Sequence, residues 1–194
     1  MKKILFLMIL VVVISSFSFA MEFSDVSNHW AKQYITELSN KGVINGYEDG
    51  TFKPEGEIKK GEFLKLIMCA SLPDNDFTVD TPKYNHWADG YIQMAEQKGV
   101  INEGWVNETS ANDVITRREM VFILGKCDVA LKEYGLKNGP VELTDIDDMS
   151  ADEINMLSHC VSRGLISGYE DLTFRPNKSL TRAEVATIIW RFMQ

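Results

Sequence analysis

Basic residues are in deficit in this chain. Lys and Arg number 20 against 28 Asp and Glu, a net charge of −8 over 194 residues. A general nucleic-acid binder carries a basic surplus, so that class is disfavoured. Cysteine is scarce: Cys69, Cys127 and Cys160 stand far apart, with no Cys-x-x-Cys spacing. Three cysteines cannot all pair internally, so disulfides are not what holds the fold. The apolar helical surroundings of Cys69 and Cys127 suit a buried thiol acting as a small hydrophobe. Catalytic signatures are missing as well. There is no His-Glu-x-x-His, no Gly-x-Ser-x-Gly and no phosphate-binding glycine loop. His159 adjoins Cys160, and adjacent helical residues point to different faces, which rules out a dyad between them. No enzyme activity and no cofactor are expected. With 45% hydrophobic and 25% charged residues, the composition is that of an ordinary globular protein, not of a disordered or polytopic membrane chain.

Long hydrophobic runs are limited to one. Residues 4–14 are apolar without interruption, behind Lys2 and Lys3 and ahead of Ser18 and Ala20. This is the charge, core and small-residue order of an export signal with cleavage after Ala20. The apolar stretch to Ala20 is shorter than the ~20 residues of a spanning helix, so no membrane span is expected after cleavage. Losing Lys2 and Lys3 leaves 18 basic residues against 28 acidic ones, a net charge of −10.

The remaining 174 residues divide into three units of 58, and the chain repeats near that period. Gly42-Val43-Ile44, Gly99-Val100-Ile101 and Gly164-Leu165-Ile166 are spaced by 57 and 65 residues, and each glycine precedes a glutamate by twenty (Glu62, Glu119, Glu184). Between residues 42–62 and 164–184, ten of 21 aligned positions are identical, including Gly-Tyr-Glu-Asp-x-Thr-Phe-x-Pro. His29-Trp30-Ala31 and His86-Trp87-Ala88 hold one position before their glycines. Such self-similarity is the mark of tandem repeats. The expected division is an export signal over residues 1–20 and repeats over residues 21–72, 73–132 and 133–194.

Each repeat reads as helix, loop, helix, and the fold class is mainly α. Trp30, Tyr34 and Leu38, with Ile35 beside them, fall on one helical face. Asn28 is the expected N-cap and Gly42 the left-handed residue that ends the helix. Thr116-Arg117-Arg118-Glu119 and Thr181-Arg182-Ala183-Glu184 are capping boxes opening the second helices. Their apolar stripes are Phe63, Leu64, Ile67 and Met68; Met120, Val121, Ile123 and Leu124; and Val185, Ile188, Ile189 and Phe192. Two short helices cannot bury such stripes alone, so the copies are expected to pack on one another. Residues 72–83 and about 128–142 read as linkers.

These residues resemble the S-layer homology repeat: Phe23-x-Asp25-Val26, His29-Trp30-Ala31, Gly42-Val43-Ile44-x-Gly46, Asp49-Gly50-Thr51-Phe52-x-Pro54 and Thr181-Arg182-Ala183-Glu184. The resemblance implies three helix-loop-helix units packed as a pseudo-threefold bundle. It further implies an exported protein held at the cell wall or S-layer by noncovalent binding to a secondary cell wall polysaccharide, often one bearing a pyruvylated sugar. The implied ligand grooves lie between neighbouring repeats. By the same resemblance they draw on Asp25, Trp30, Gly46, Lys60, Trp87, Arg117, Asp145, Gly168 and Arg182. The chemistry is apt. A helix N-terminus favours a carboxylate, an arginine there adds a two-pronged grip, and a tryptophan face can stack on a sugar ring.

The copies depart from the pattern in different places. Repeat one has Lys59-Lys60-Gly61-Glu62 for Thr-Arg-Ala-Glu; Lys60 keeps the charge but not the fork. Repeat two keeps Arg117 and Trp87, loses the loop to Glu103-Gly104-Trp105-Val106-Asn107-Glu108-Thr109, and has no aspartate at the spacing of Asp25. Repeat three keeps Gly168, Arg182 and Asp145, but Ser150 or Asp152 stands where tryptophan is expected. No single repeat is complete. Arg117 and Arg182 are the foremost expected contacts, then Asp25 and Trp30, with Lys60 weaker. Bland alternatives stand beside these: tryptophans as core, arginines paired with neighbouring acids, Gly46 as turn chemistry. A calcium loop fails, because Tyr47 and Gly56 fall where an EF-hand register needs ligands, and no metal is expected. The other function class is a structural or adaptor protein whose repeats bind another surface protein.

Overall fold

The computed structural model describes residues 23–74, 77–132 and 134–194; the expected export signal lies outside them. The described chain forms α1 (Lys32–Asn40), α2 (Lys60–Ser71), α3 (Asp89–Gln97), a 3-10 turn (Ser110–Asn112), α4 (Arg117–Ala130), α5 (Ala151–Ser162) and α6 (Arg182–Phe192). No strand occurs among the described residues, so the fold is all-α. None of these helices is long and apolar enough to cross a membrane.

The three first helices end alike. Gly42, Gly99 and Gly164 adopt φ of +71°, +67° and +71°, a region open to glycine without steric cost. The next residue's N–H then reaches back to a carbonyl in the last turn: Val43 to Leu38 at 3.0 Å, Val100 to Ala95 and Leu165 to Cys160 at 2.9 Å. This Schellman arrangement satisfies carbonyls that the helix leaves open.

Their starts differ from expectation. Asn28 does not cap α1. Instead His29 Nδ1 accepts the Ala31 N–H at 3.1 Å, and His86 Nδ1 accepts that of Ala88 at 3.1 Å. An accepting Nδ1 places the ring proton on Nε2, which faces Glu55 at 2.7 Å in one copy and Asn112 at 3.3 Å in the other. The recurring His-Trp-Ala is thus an imidazole cap followed by an outward tryptophan. α5 begins with a capping box that the sequence reading missed: Ser150 Oγ accepts from Glu153 N–H, and Glu153 accepts from Ser150 N–H.

The second helices open as expected at Thr116 and Thr181, where Glu119 and Glu184 reach back to the cap amides at 2.9 Å each. Glu62 does the same for Lys59 N–H at 2.9 Å, but a lysine ammonium has no lone pair to offer the N3 amide. We expect Thr181→Ala to cost about 1 kcal/mol and to lower the melting temperature by ~2–4 °C. Lys59→Thr is expected to shift it upward. Thermal unfolding followed by circular dichroism checks both signs.

The helices of one unit do not pair with each other. α2 packs on α3, α4 on α5, and α6 returns to α1. The second helix of each unit therefore leans on the first helix of the next, and the order closes on itself. At the centre, the residues leading into the second helices form three isolated antiparallel bridges: Glu57 with Thr181, Lys59 with Val114, and Thr116 with Ser179. Ile58, Ile115 and Leu180, one from each unit, are fully buried there. The Ile58 N–H donates to Leu180 O and the Ile115 N–H to Ile58 O, both at 3.1 Å. The result is a ring with pseudo-threefold symmetry. The three expected apolar stripes line one continuous core.

The seam between α4 and α5 carries a polar pin. α4 runs on to Ala130, so Asp128, expected at the start of a linker, is helical and fully buried. Its carboxylate accepts from His159 Nε2 at 2.9 Å and Arg163 Nε at 2.8 Å. His159 Nδ1 in turn accepts the Lys137 N–H at 3.0 Å, tying the connector to α5. Cys127 and Cys160 are fully buried at the same seam. Burial pushes the Cys127 thiol up to about 12, which leaves it inert as a nucleophile.

Candidate ligand-binding grooves

Each seam of the ring opens outward into a groove, numbered here by the unit that supplies its loop. The loops of the first and third units are built alike. Asp25 accepts the N–H groups of Phe52 at 2.9 Å and Lys53 at 2.8 Å, and Asp145 accepts those of Phe174 at 2.7 Å and Arg175 at 2.8 Å. Both carboxylates thereby fasten the loop to the segment ahead of the first helix. Gly46 and Gly168 pack where no side chain fits: a Cβ would collide with the Phe23 ring in one and with Leu143 in the other, and at Gly46 would lie 2.7 Å from Thr51 O. Lys53 and Arg175 sit at the same left-handed position, with φ of 56° and 58°. The Thr173 hydroxyl, then Arg175, then the Thr173 N–H hold the exposed Asp171 carboxyl at about 2.

The basic residues at the second-helix N-termini do not serve their own units. Arg182 reaches from α6 to the first loop, donating through Nε to Phe52 O at 2.8 Å and pairing with Glu62 at 3.1 Å. Arg117 reaches from α4 to the third loop, donating to Phe174 O at 2.7 Å and Ser167 O at 3.3 Å. Lys60 reaches from α2 to the second unit, pairing with Glu119 at 2.7 Å beneath the Trp105 ring, 5.4 Å from its centroid.

Two loop tyrosines, unassigned from sequence, stand between cations. Tyr47 has Lys53 at 4.1 Å and Arg182 at 4.9 Å from its ring centroid; Tyr169 has Arg175 at 4.0 Å and Arg117 at 5.0 Å. Their identity in the two Gly-Tyr-Glu-Asp loops was the available signal.

Groove 1, of about 150 Å³, is lined by Gly46, Tyr47, Glu62 and Lys65 of the first unit, Trp87 of the second and Arg182 of the third. α1 packs on α6 as α3 packs on α2, so in the repeat register Trp30 is the counterpart, for groove 3, of Trp87 in groove 1. Groove 3 is lined by Gly168, Tyr169, Asp171 and Arg175 of the third unit, with the Arg117 guanidinium of the second unit 5.0 Å from the Tyr169 ring. Both tryptophans are far from core residues, at 59% and 58% exposed. Groove 2, of about 430 Å³, has Trp105, Glu119 and Phe122 from the second unit and Ser150 and Asp152 from the third. α5 starts nearly a turn earlier relative to its terminal glycine than α1 or α3 does. Counted from that glycine, Asp152 takes the tryptophan position.

The three departures read from the sequence therefore converge. The lysine of the first unit, the altered loop of the second and the missing tryptophan of the third all fall in groove 2. Groove 1 holds a complete set, and groove 3 keeps the glycine, the tyrosine and the arginine.

The cations of grooves 1 and 3 are not equivalent. Arg182 has a carboxylate partner, whereas Arg117 has none within ion-pair distance among the described residues. Both are about 8% exposed. Burial holds the Arg117 guanidinium below the usual arginine range, against the pull of Tyr169 and Glu184. Arg117 is thus a desolvated cation whose hydrogen bonds go to backbone carbonyls and not to an acid, an arrangement that favours an anionic group.

The sequence profile of the S-layer homology domain matches residues 22–64 and 142–186, the units that own the two intact loops. These two regions are S-layer homology domains. Among the chain's relatives are an amylopullulanase of Thermoanaerobacterium thermosulfurigenes, 27% identical over 93% of this chain and 10% of that protein, and a cellulosome-anchoring protein of Acetivibrio thermocellus, 38% identical over 50% of this chain and 22% of that protein. S-layer protein EA1 of Bacillus anthracis is 29% identical over 86% of this chain and 19% of its own length. The chain spans between a tenth and about a fifth of these relatives. The S-layer homology profile passes over the second unit, where the loop has diverged, although that unit keeps the helix-loop-helix course of the other two.

Proposed function

We propose that this S-layer homology protein is an exported binding module that holds itself at the cell envelope. It does so by noncovalent attachment to a wall-linked polysaccharide carrying an acidic, pyruvate-type substituent. Asp25, Gly46, Asp145 and Gly168 shape the loops, while Trp30, Trp87, Arg117 and Arg182 meet the polymer in grooves 3 and 1. The observation that carries this reading is the assembly in groove 1 of a buried guanidinium, a cation-flanked tyrosine and an exposed tryptophan from three different units, with the guanidinium and tyrosine repeated in groove 3. A guanidinium in a partly dry groove binds a carboxylate in a bidentate manner more strongly than it could on an open surface. The tryptophan supplies an apolar face for the sugar ring. This also explains how an acidic protein can take an acidic polymer: its cations are concentrated at the groove floors. The resemblance to an anchoring protein and to an S-layer protein supports the same location.

The test is co-sedimentation of the purified protein with wall sacculi, before and after the polymer is chemically stripped. We expect binding to intact sacculi and its loss on stripping. Undiminished binding to stripped sacculi would overturn the polysaccharide reading in favour of a surface-protein partner.

A further inference from the structure

We infer that groove 2 is a second kind of binding site, one that takes an uncharged pyranose unit and turns away acidic ones. The inference goes beyond the function proposed for grooves 1 and 3 and stands on different residues.

The first argument is charge. In groove 1 the lining carries Lys65 and Arg182 against Glu62. At the equivalent positions groove 2 has Phe122 for Lys65, Lys60 for the arginine, and Asp152 for the tryptophan. Two cations stand at it, and each has an acid partner: Lys60, behind the lining, pairs with Glu119 at 2.7 Å, and Arg118 pairs with Asp148, its Nε being buried without a partner among the described residues. Asp152 and Glu153 then add negative charge to the lining. An anionic substituent entering here meets only cations that already have acid partners, together with the carboxylates of Asp152 and Glu153, so it is disfavoured where groove 3 would attract it.

The second argument is shape and polar content. The groove has not closed over as a discarded site would; its volume is about 430 Å³ against about 150 Å³ for groove 1. That lies within the ~300–1,000 Å³ common for small-ligand pockets. Trp105, 36% exposed, offers a ring face, and Phe122 extends the apolar wall. Asn102, Ser150 and Asp152 stand at the edge as an amide, a hydroxyl and a carboxylate. An aromatic platform rimmed by such short polar groups matches a neutral sugar, whose ring face is apolar and whose edge carries hydroxyls that donate and accept. The replacement of tryptophan by Asp152 is then an exchange of a stacking surface for a hydroxyl acceptor, with Trp105 supplying the stacking surface from the other side.

The experiment titrates the whole chain with methyl glycosides of glucose, galactose, N-acetylglucosamine and N-acetylmannosamine, followed by tryptophan fluorescence and by calorimetry. We expect a saturable response to at least one of them, with an affinity in the ~millimolar range typical of one sugar in an open groove. Trp105→Ala should abolish it, and Asp152→Lys, a change at an exposed position that spares the core, should weaken it about tenfold. Melting temperatures verify that both variants fold. Wall polymer stripped of its acidic substituents and soluble neutral oligosaccharides, used as competitors, tell which source of pyranose displaces the glycoside. A flat response to all four glycosides, or one that both variants leave unaltered, overturns the inference. The titration uses no sacculi and no acidic sugar, so its failure is separate from a failure of the anchoring reading.

Discussion

A chain ending at Leu131, which lacks α5 and α6, is expected to lose cooperative unfolding and most of its helix content. In an open solenoid the loss of a terminal repeat leaves the others standing, because each contacts only its neighbours. Here α6 is the neighbour of α1, and α5 is the neighbour of α4. The truncation uncovers both at once. It also removes Leu180 and the Ser179 and Thr181 bridges from the centre. α6 alone buries Val185, Ile188, Ile189 and Phe192. At roughly 1.5–3 kcal/mol for each large side chain, that is about 6–12 kcal/mol, comparable to the whole net stability of a domain. Far-UV circular dichroism and urea titration of the truncated chain provide the measurement. A sharp transition with two-thirds of the helix signal would mean that the ring is not a single cooperative unit.

Wall binding is expected to fall about tenfold or more for Arg117→Ala and for Arg182→Ala singly, and about 10³-fold for the pair. A hydrogen bond to a charged group is worth ~1.5–3 kcal/mol, or roughly 10–100-fold in affinity. Where two grooves hold one polymer, the losses compound through effective concentration. The Arg117 variant is expected to lose more, because its guanidinium has no acid within ion-pair distance among the described residues, whereas Arg182 already shares its charge with Glu62 at 3.1 Å. Arg117→Lys should recover only part of the loss, since an ammonium cannot reproduce the planar fork. Each arginine also donates to a loop carbonyl, so melting temperatures belong beside the affinities. Binding isotherms on intact sacculi that are the same for the double variant and the parent would remove both arginines from the site.

Local features were legible in the sequence because local chemistry dictates them. Gly42, Gly99 and Gly164 announce left-handed helix ends, Thr116 and Thr181 with a glutamate three residues on announce helix starts, and the apolar stripes announce the buried faces. His29 and His86 were harder. An imidazole can cap a helix only through an accepting Nδ1, and nothing in a list of residues reveals a tautomer, so Asn28 looked the better cap. Asp25 and Asp145 read equally well as sugar acceptors until their carboxylates were found holding four loop amides. The ownership of the grooves was not legible at all. Lys60, Trp105 and Asp152 are 45 and 47 residues apart in sequence, and each counts as a flaw of a different repeat. Only the offset packing of α2 on α3, α4 on α5 and α6 on α1 shows that they are three parts of one groove.

That offset packing also has a mechanical side. The first and last described helices lie against each other, with Tyr34 edge-on to Trp190 at 5.1 Å and Glu37 accepting from the same indole. Tension drawn through the N-terminal segment meets the Asp25 latch on Phe52 and Lys53 and then this joint. Parting α1 from α6 breaks the closure of the ring, so the contact that completes the fold is also the one that bears a load applied across it.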